Sequence, residues 1–495
     1  MHKKNVVVIG GGLGGLSAAI TLAADNHAVT VIEKNTHLGG KVNTLNKNGF
    51  TFDLGPSTLT MPHMITPLFT MHGKSMEDYI TLKAIHPHCR NVFEGGPILD
   101  MHETPEKTVK QNSALDEKDF EELKQYYTYA KTKAHFTNKV MFDHQSERTR
   151  DIFKHYNPFT VISHSDAFST MDEGVRKHIS NPQLVDILNN FIKYEGSSPS
   201  LAPAVMNALP YFQWHYDLWY AKGGMSALPR ALETLAREVG VHFMLGSEVK
   251  GITKSPGGIN GLILDDDSTI GVDVVVANME PIPFYESISK EAESLIQPYR
   301  DQYPPSLSGI ALHLGLDKQY DILKHQTVFH AQDAKKHYDA LFEASTLSDD
   351  PTLYVSAPMK SDPQRGPQAG EIISILAHLP PLHNKHKNAK KDYTAYRDVI
   401  IDKLERMGLK DLRNHIVSET LWTPHTFKDT HFSHRGALYG SLLHKDKNKG
   451  FKIPKQSKFY NNLFFTGSAT NPGSAIPLVI LSGRQVAKQI KTGIR

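Results

Sequence analysis

Val6-Val7-Val8-Ile9-Gly10-Gly11-Gly12-Leu13-Gly14-Gly15 is the stretch that decides the fold. An Ala-rich segment follows it. A second apolar run, Val29-Thr30-Val31-Ile32, then stops at Glu33. The order is strand, tight turn, helix, strand, acid, as a dinucleotide site requires. Gly10 allows the turn, Gly12 lets backbone approach a pyrophosphate, and Gly15 lets the helix pack hard on the sheet. A helix starting near Gly14 aims unpaired N–H groups and its positive dipole end at the phosphates. Leu16, Ala19, Ile20 and Ala23 share one helical face, so that face buries. A carboxylate at Glu33 accepts hydrogen bonds from an adenosine ribose.

Gly39-Gly40-Lys41 points to FAD rather than NAD. Nicotinamide enzymes have no general need for a glycine pair just past the ribose-binding acid. The flavoprotein superfamily of amine oxidases and phytoene desaturases carries such a pair, often followed by Arg. Lys41 keeps that charge and loses the planar fork. Asp53-Leu54-Gly55-Pro56-Ser57 follows, and the same superfamily tends to carry a Gly-Pro where the chain passes the flavin. Read alone, Asp53 is equally a turn acid.

A chain of 495 residues buries a large core and folds as two or more domains. No stretch approaches the roughly 18 apolar residues of a membrane span. Lys3-Lys4 is followed at once by the first strand, so no secretory signal is expected. Cys89 is the single cysteine, which suits a reducing cytoplasm. The net charge of +3 does not suggest nucleic acid. Two basic clusters stand out, His383 through Lys391, and Lys445 through Lys449 with Lys452 and Lys455. Each alone reads as solvated surface. Together they suit a peripheral contact with an anionic leaflet.

Signals for the cofactor domain return twice. Gly223-Gly224-Met225 precedes a helical pattern with Leu228, Leu232 and Leu235; Val241-His242-Phe243, Val249 and Asp273 to Asn278 read as strands. Near the C-terminus, Leu463-Phe464-Phe465 reads as a strand, 466–473 as a loop, and a helix is expected from Pro477 to Ile490. The expected fold class is α/β, with a discontinuous Rossmann-like nucleotide domain in 1–85, 221–285 and 431–495. Residues 86–220 and 286–430 form a mixed α+β substrate domain. Its first half is mostly helical in pattern (Glu121 to Lys133, Gln183 to Lys193). Its second mixes strands (Gly309 to Leu314, Ile372 to His378) with a helix from Tyr393 to Met407.

With all three segments in view, the chain resembles the bacterial carotenoid desaturase and oxidase family. The motifs are those above with Asn278, Thr423-Pro424 and Gly467 through Pro477, of which Pro472-Gly473 and Ile476-Pro477 are the most family-specific. Phe191 to Ser198, Arg435 to Gly440, Asn448 to Pro454 and Ser482 to Val486 are similar to the branch that oxidises terminal methyls of C30 carotenoids, the diaponeurosporene and diapolycopene oxygenases. The related desaturases tend to have His where this chain has Asn471. Ser474-Ala475 departs from a glycine-rich pattern in that branch.

The resemblance implies an FAD-binding fold of the amine oxidase and dissociation-inhibitor type. It also implies a long carotenoid substrate, a terminal methyl converted to an aldehyde, and molecular oxygen or another electron acceptor. A cytoplasmic protein, peripheral on the inner face of the membrane, follows from an insoluble substrate. Motif reading and resemblance together assign FAD to Gly10, Gly12, Leu13, Gly14, Gly15, Glu33 and Lys34. They add Gly39, Gly40, Lys41, Gly55, Pro56 and Ser57, then Val249, and last Gly467, Ser468, Gly473, Ala475, Ile476 and Pro477. No acid–base constellation stands out. Glu195 and Arg435 are catalytic candidates only through their branch-like strings, with ion pairing as the alternative.

Phe191, Ile192, Phe212, Trp214, Leu218, Trp219 and Tyr220 read as core or channel lining. His86, His88 and Cys89 cluster without a second group at ligand spacing, so no metal is expected. A desaturase of the same family is one alternative. Others are an amine oxidase and a lipid-escort protein on the same fold.

Overall fold

A computed structural model describes residues 3–383 and 392–493 of the chain. Most of the basic cluster at 383–391 therefore lies outside the described residues. The nucleotide half is a five-stranded parallel sheet. Its strands are β1 (Asn5–Ile9), β2 (Ala28–Glu33), β3 (His242–Leu245), β4 (Val274–Ala277) and β5 (Leu463–Phe465). The order across the sheet is β5-β4-β1-β2-β3, so β1 lies at its centre.

Position in the sheet explains the apolar runs. Val6, Val7 and Val8 are fully buried because both faces are covered. The period-2 alternation of a strand then divides them. Val6 and Val8 pack beneath α1 (Leu13–Ala24), α2 (Ala227–Glu238) and α3 (Ile476–Thr492). Val7 and Ile9 face an antiparallel ribbon of Val249–Ser255, Gly258–Leu264 and Thr269–Gly271.

Helices α1 and α3 cross at close range. A Cβ on Gly483 would meet the Gly14 carbonyl oxygen at 2.3 Å, so only glycine permits this approach. Ser17 Oγ donates to the Ile480 carbonyl at 2.6 Å across the same contact. The C-terminal helix is thereby fixed beside the first helix of the chain.

The second half is built on a seven-stranded sheet. Its order is Ile416–Trp422, Ser308–Leu316, Glu371–Leu379, Leu353–Ser356, Gln326–Phe329, Cys89–Val92, Ile98–Met101. One face carries Ile310, Leu312, Leu314, Ile373 and Ile375 onto helix Tyr393–Arg406. Helices Glu117–Thr137 and Ala208–Tyr216 form a separate apolar cluster. The helix expected over Gln183 to Lys193 ends earlier. It runs Pro182–Asn189 and tightens into a 3₁₀ turn, Asn190–Glu195, before Gly196 at φ 59°. That turn sends neighbouring side chains in different directions, which decides the fates of Lys193, Tyr194 and Glu195. Among the described residues, no helix is long and apolar enough to cross a membrane.

Candidate active site

Gly10, at φ 92°, ends β1, and Gly12 is the N-cap of α1. No side chain caps this helix and no acid sits in its first turn, so its leading N–H groups are free for an anion. The third glycine has the packing role its spacing suggests. A Cβ on Gly15 would lie 2.2 Å from the Gly10 carbonyl oxygen.

The second glycine pair belongs to the same construction. Gly39 N–H donates to the Gly11 carbonyl at 2.9 Å, and Gly12 and Gly39 form an isolated parallel bridge. A Cβ on Gly40 would stand 3.2 Å from the Gly12 Cα. Glu33 is tied into this double loop, accepting from Gly11 N–H at 2.8 Å and from Asn35 N–H at 2.9 Å. Gly55 stands at φ 88°, and a Cβ there would meet the Lys41 carbonyl oxygen at 2.0 Å.

The two sheets enclose a cavity of about 640 Å³. From the first segment its wall takes Gly10, Gly12, Leu13, Glu33 and Lys34; next come Gly39, Gly40, Lys41, Gly55, Pro56 and Ser57. Val249 lines it, as do Gly467, Ser468, Ala475, Ile476 and Pro477. Gly14, Gly15 and Gly473 lie behind the wall instead. Gly14 faces Asn278 and Thr466, and Gly473 packs on Glu195. The motifs mark a backbone path, and only part of that path meets the cavity.

Several wall residues escaped the motif reading. Asn278, quoted in the family pattern, sits where Cβ atoms on Gly12, Gly14 or Gly467 would clash with its amide. From the seven-stranded sheet come Ala311, His313, Ser374, Leu376, His378 and Tyr354. Their positions follow the strand period of two, 311 and 313 in one strand and 374, 376 and 378 in the next, but polar residues fall at only some of them. Burial pushes His313 down to about 4 and His378 to about 3, so both are neutral hydrogen-bonding groups. His313 pairs with Ser374 Oγ at 2.8 Å, and His378 with the Tyr439 hydroxyl at 2.9 Å. Of the aromatic and aliphatic stripe, Phe212 and Leu218 reach the cavity. Trp214, Phe191 and Ile192 lie in apolar core clusters, and Tyr220 donates to Asp53 at 2.8 Å.

Asp53 is not a turn acid. It is buried, and also accepts from Met225 N–H at 3.1 Å and from Arg365 at 3.0 Å, joining three distant segments. Neither catalytic candidate lines the cavity. Glu195 is 3% exposed and pairs with Lys452 at 3.0 Å, while Ser474 Oγ donates to the same carboxylate at 3.0 Å. Asn471 locks this unit through both its amide atoms onto the Lys452 backbone, at 2.9 and 3.1 Å. Ser474 therefore ties the loop to Glu195, and both Ser474 and Ala475 line the cavity. Arg435 Nε donates to the Leu382 carbonyl. Glu195→Ala is expected to strand the Lys452 ammonium and cost about 3 kcal/mol. Thermal unfolding with and without added FAD checks it.

Lys452 and Lys455 are not surface cations either. They are 1% and 0% exposed, and Lys455 lies 2.6 Å from Glu147. His86 and His88 meet Asp217, their ligand atoms lying within 4.8 Å of one another. His88 Nε2 sits 2.6 Å from Asp217 Oδ1, while its Nδ1 has no partner. A ligating histidine normally donates from that second nitrogen. Cys89 Sγ instead points to the Arg90 carbonyl.

Glu280, just past β4, lines the cavity and accepts from His434 N–H at 3.1 Å. Its other oxygen has no partner. Burial pushes its pKa up to about 7, against the pull of Lys41. The folded protein thus holds this proton more tightly than the unfolded chain. The resulting stability is full below about pH 4.5 and is lost as pH rises through about 7. Glu280→Gln is expected to flatten that fall, read as melting temperature against pH.

Residues 13–491 match the model of the flavin containing amine oxidoreductases. The chain is 44% identical over 488 residues to 4,4'-diapolycopene oxygenase of Methylomonas sp, covering 99% of this chain and 98% of the relative. It is 41% identical over 490 residues to 4,4'-diaponeurosporene oxygenase of Staphylococcus haemolyticus, covering 99% and 97%. Its fold is similar to a solved oxidoreductase from Methanosarcina mazei, with a TM-score of 0.65 at 16% identity, covering 98% and 100%. The chain belongs to the flavin-containing amine oxidoreductase family and is an FAD-dependent oxidoreductase.

Proposed function

We propose that this protein oxidises a terminal methyl group of a C30 carotenoid, of the diapolycopene or diaponeurosporene type, to an aldehyde. The full-length likeness to two oxygenases named for such polyenes carries the reading. The cavity suits it: a nucleotide-sized cradle opens into a chamber where His313 and His378 are held neutral. The net change R–CH3 + O2 → R–CHO + H2O balances with no further reductant. FAD, when bound, supplies the redox chemistry.

The protein's part is placement. The first turn of α1 offers N–H donors for the pyrophosphate, and Glu33 Oε2, which accepts only from Gly11 N–H, keeps an acceptor site for the ribose. Apolar walls, Phe212 and Leu218 among them, keep water from the reacting carbon. Expression in cells that make the C30 polyene, under ¹⁸O-labelled oxygen, tests the reading. Label in the product supports it. Loss of two hydrogens per step without label overturns it in favour of a desaturase.

We further propose that the substrate is drawn from a membrane surface through an apolar tip at residues 153–168. Phe159 is 82% exposed and Phe168 76%, with Phe153 and Ile162 beside them in sequence. Lys445 donates to the Phe168 carbonyl at 3.1 Å, which brings the 445–449 basic run to that tip. Asp151 and Asp166 are neutralised by Lys154 and Lys177. Aromatic tips beside cations suit an anionic bilayer.

A further inference from the structure

A polyene hydrocarbon offers an ammonium no oxygen or nitrogen acceptor, yet the cavity wall carries Lys193. Its Nζ stands 5.1 Å from the ring centroids of both Tyr194 and Tyr354. Among the described residues no carboxylate pairs with it. Burial lowers its pKa, and the neighbour that favours its charge is the Cys89 thiol, itself pushed to about 11. The nearby histidines, His330 and His378, are neutral. The Tyr354 hydroxyl is engaged with Ser57 Oγ at 2.6 Å, so it leaves the ammonium free. Two aromatic faces hold a cation in place without neutralising it. A buried charge left this way is costly unless something in the working complex meets it.

We propose that Lys193 binds the oxygen of the partly oxidised chain end: the hydroxyl of a once-oxidised terminal carbon, then the carbonyl of the aldehyde. The proposal rests on the oxygenase reading above. Methyl to aldehyde is two successive two-electron oxidations at one carbon. The apolar chamber binds the hydrocarbon for the first. A donor that engages only an oxygenated end retains the intermediate for the second, and a site built around a hydrogen bond discriminates strongly for it. A reaction that only removes hydrogen from carbon has no use for such a group.

Lys193→Met keeps the length and removes the charge; Lys193→Arg keeps the charge. In the methionine variant the ratio of aldehyde to hydroxymethyl product is expected to fall about tenfold or more, well beyond any fall in consumption of the C30 hydrocarbon. The arginine variant should recover much of that ratio. Binding of a C30 polyene aldehyde gives a second readout. A cation at the carbonyl oxygen shifts its absorption to the red in the parent and the arginine variant, and the shift is lost with methionine. FAD content and melting temperature report folding.

An unchanged product ratio with an unchanged shift overturns the proposal. So does hydrocarbon consumption that falls in step with aldehyde. A parent that adds no oxygen to the polyene refutes the oxygenase reading instead. A shift that then still depends on Lys193 upholds the oxygen contact.

Discussion

Gly15→Ala is expected to purify with little or no flavin. The added Cβ would sit 2.2 Å from the Gly10 carbonyl oxygen and 3.2 Å from Val8 Cγ1. Neither can yield, because Gly10 ends the central strand and Val8 is fully buried. The helix must move instead, at a strain cost of about 1–3 kcal/mol. Its first-turn N–H groups move with it, away from the hydrogen-bonding positions that a pyrophosphate at the helix start requires. Flavin absorbance relative to protein absorbance measures the outcome. Gly257→Ala is the control, since its Cβ would meet only Ser255 Oγ at 3.9 Å. Full flavin in the Gly15 variant would remove this glycine from the cofactor assignment.

Phe159→Ser with Phe168→Ser is expected to lower binding to anionic vesicles by about 10²-fold. Each ring, once buried in the interface, contributes about 1.5–3 kcal/mol. Together the two rings contribute about 3–6 kcal/mol, and 10²-fold takes about 2.8 kcal/mol. Cosedimentation with vesicles of mixed neutral and anionic lipid reads it. The exposed rings make no contribution to the core, so flavin content and melting temperature should hold. A double variant that still sediments fully would end the case for this tip. Binding abolished by salt alone, in parent and variant alike, would assign the contact to the lysines.

Legibility in the sequence followed the range of the interactions. Gly10, Gly12, Gly15, Glu33 and the strands around them were readable because a turn, a helix start and an acid lie within one local unit. The cavity-facing positions 311 and 313, and 374, 376 and 378, follow the strand period of two, but their meaning depended on which face met a cavity. The basic run at 445–455 was misread as one surface. Lys452 and Lys455 pair with Glu195 and Glu147, partners some 250 to 300 residues away that no local pattern reveals.

Sequence alone located the glycine turn after the first strand and the loop near Gly467 to Pro477, and the two segments line one cavity. Both depend on backbone conformations that glycine and proline enforce locally. Only the tertiary structure decided that Glu195 braces the 473–474 loop and that Lys193, two residues earlier, faces the chamber. Both lie in one 3₁₀ turn, and what each meets is set by elements folded in from distant parts of the chain.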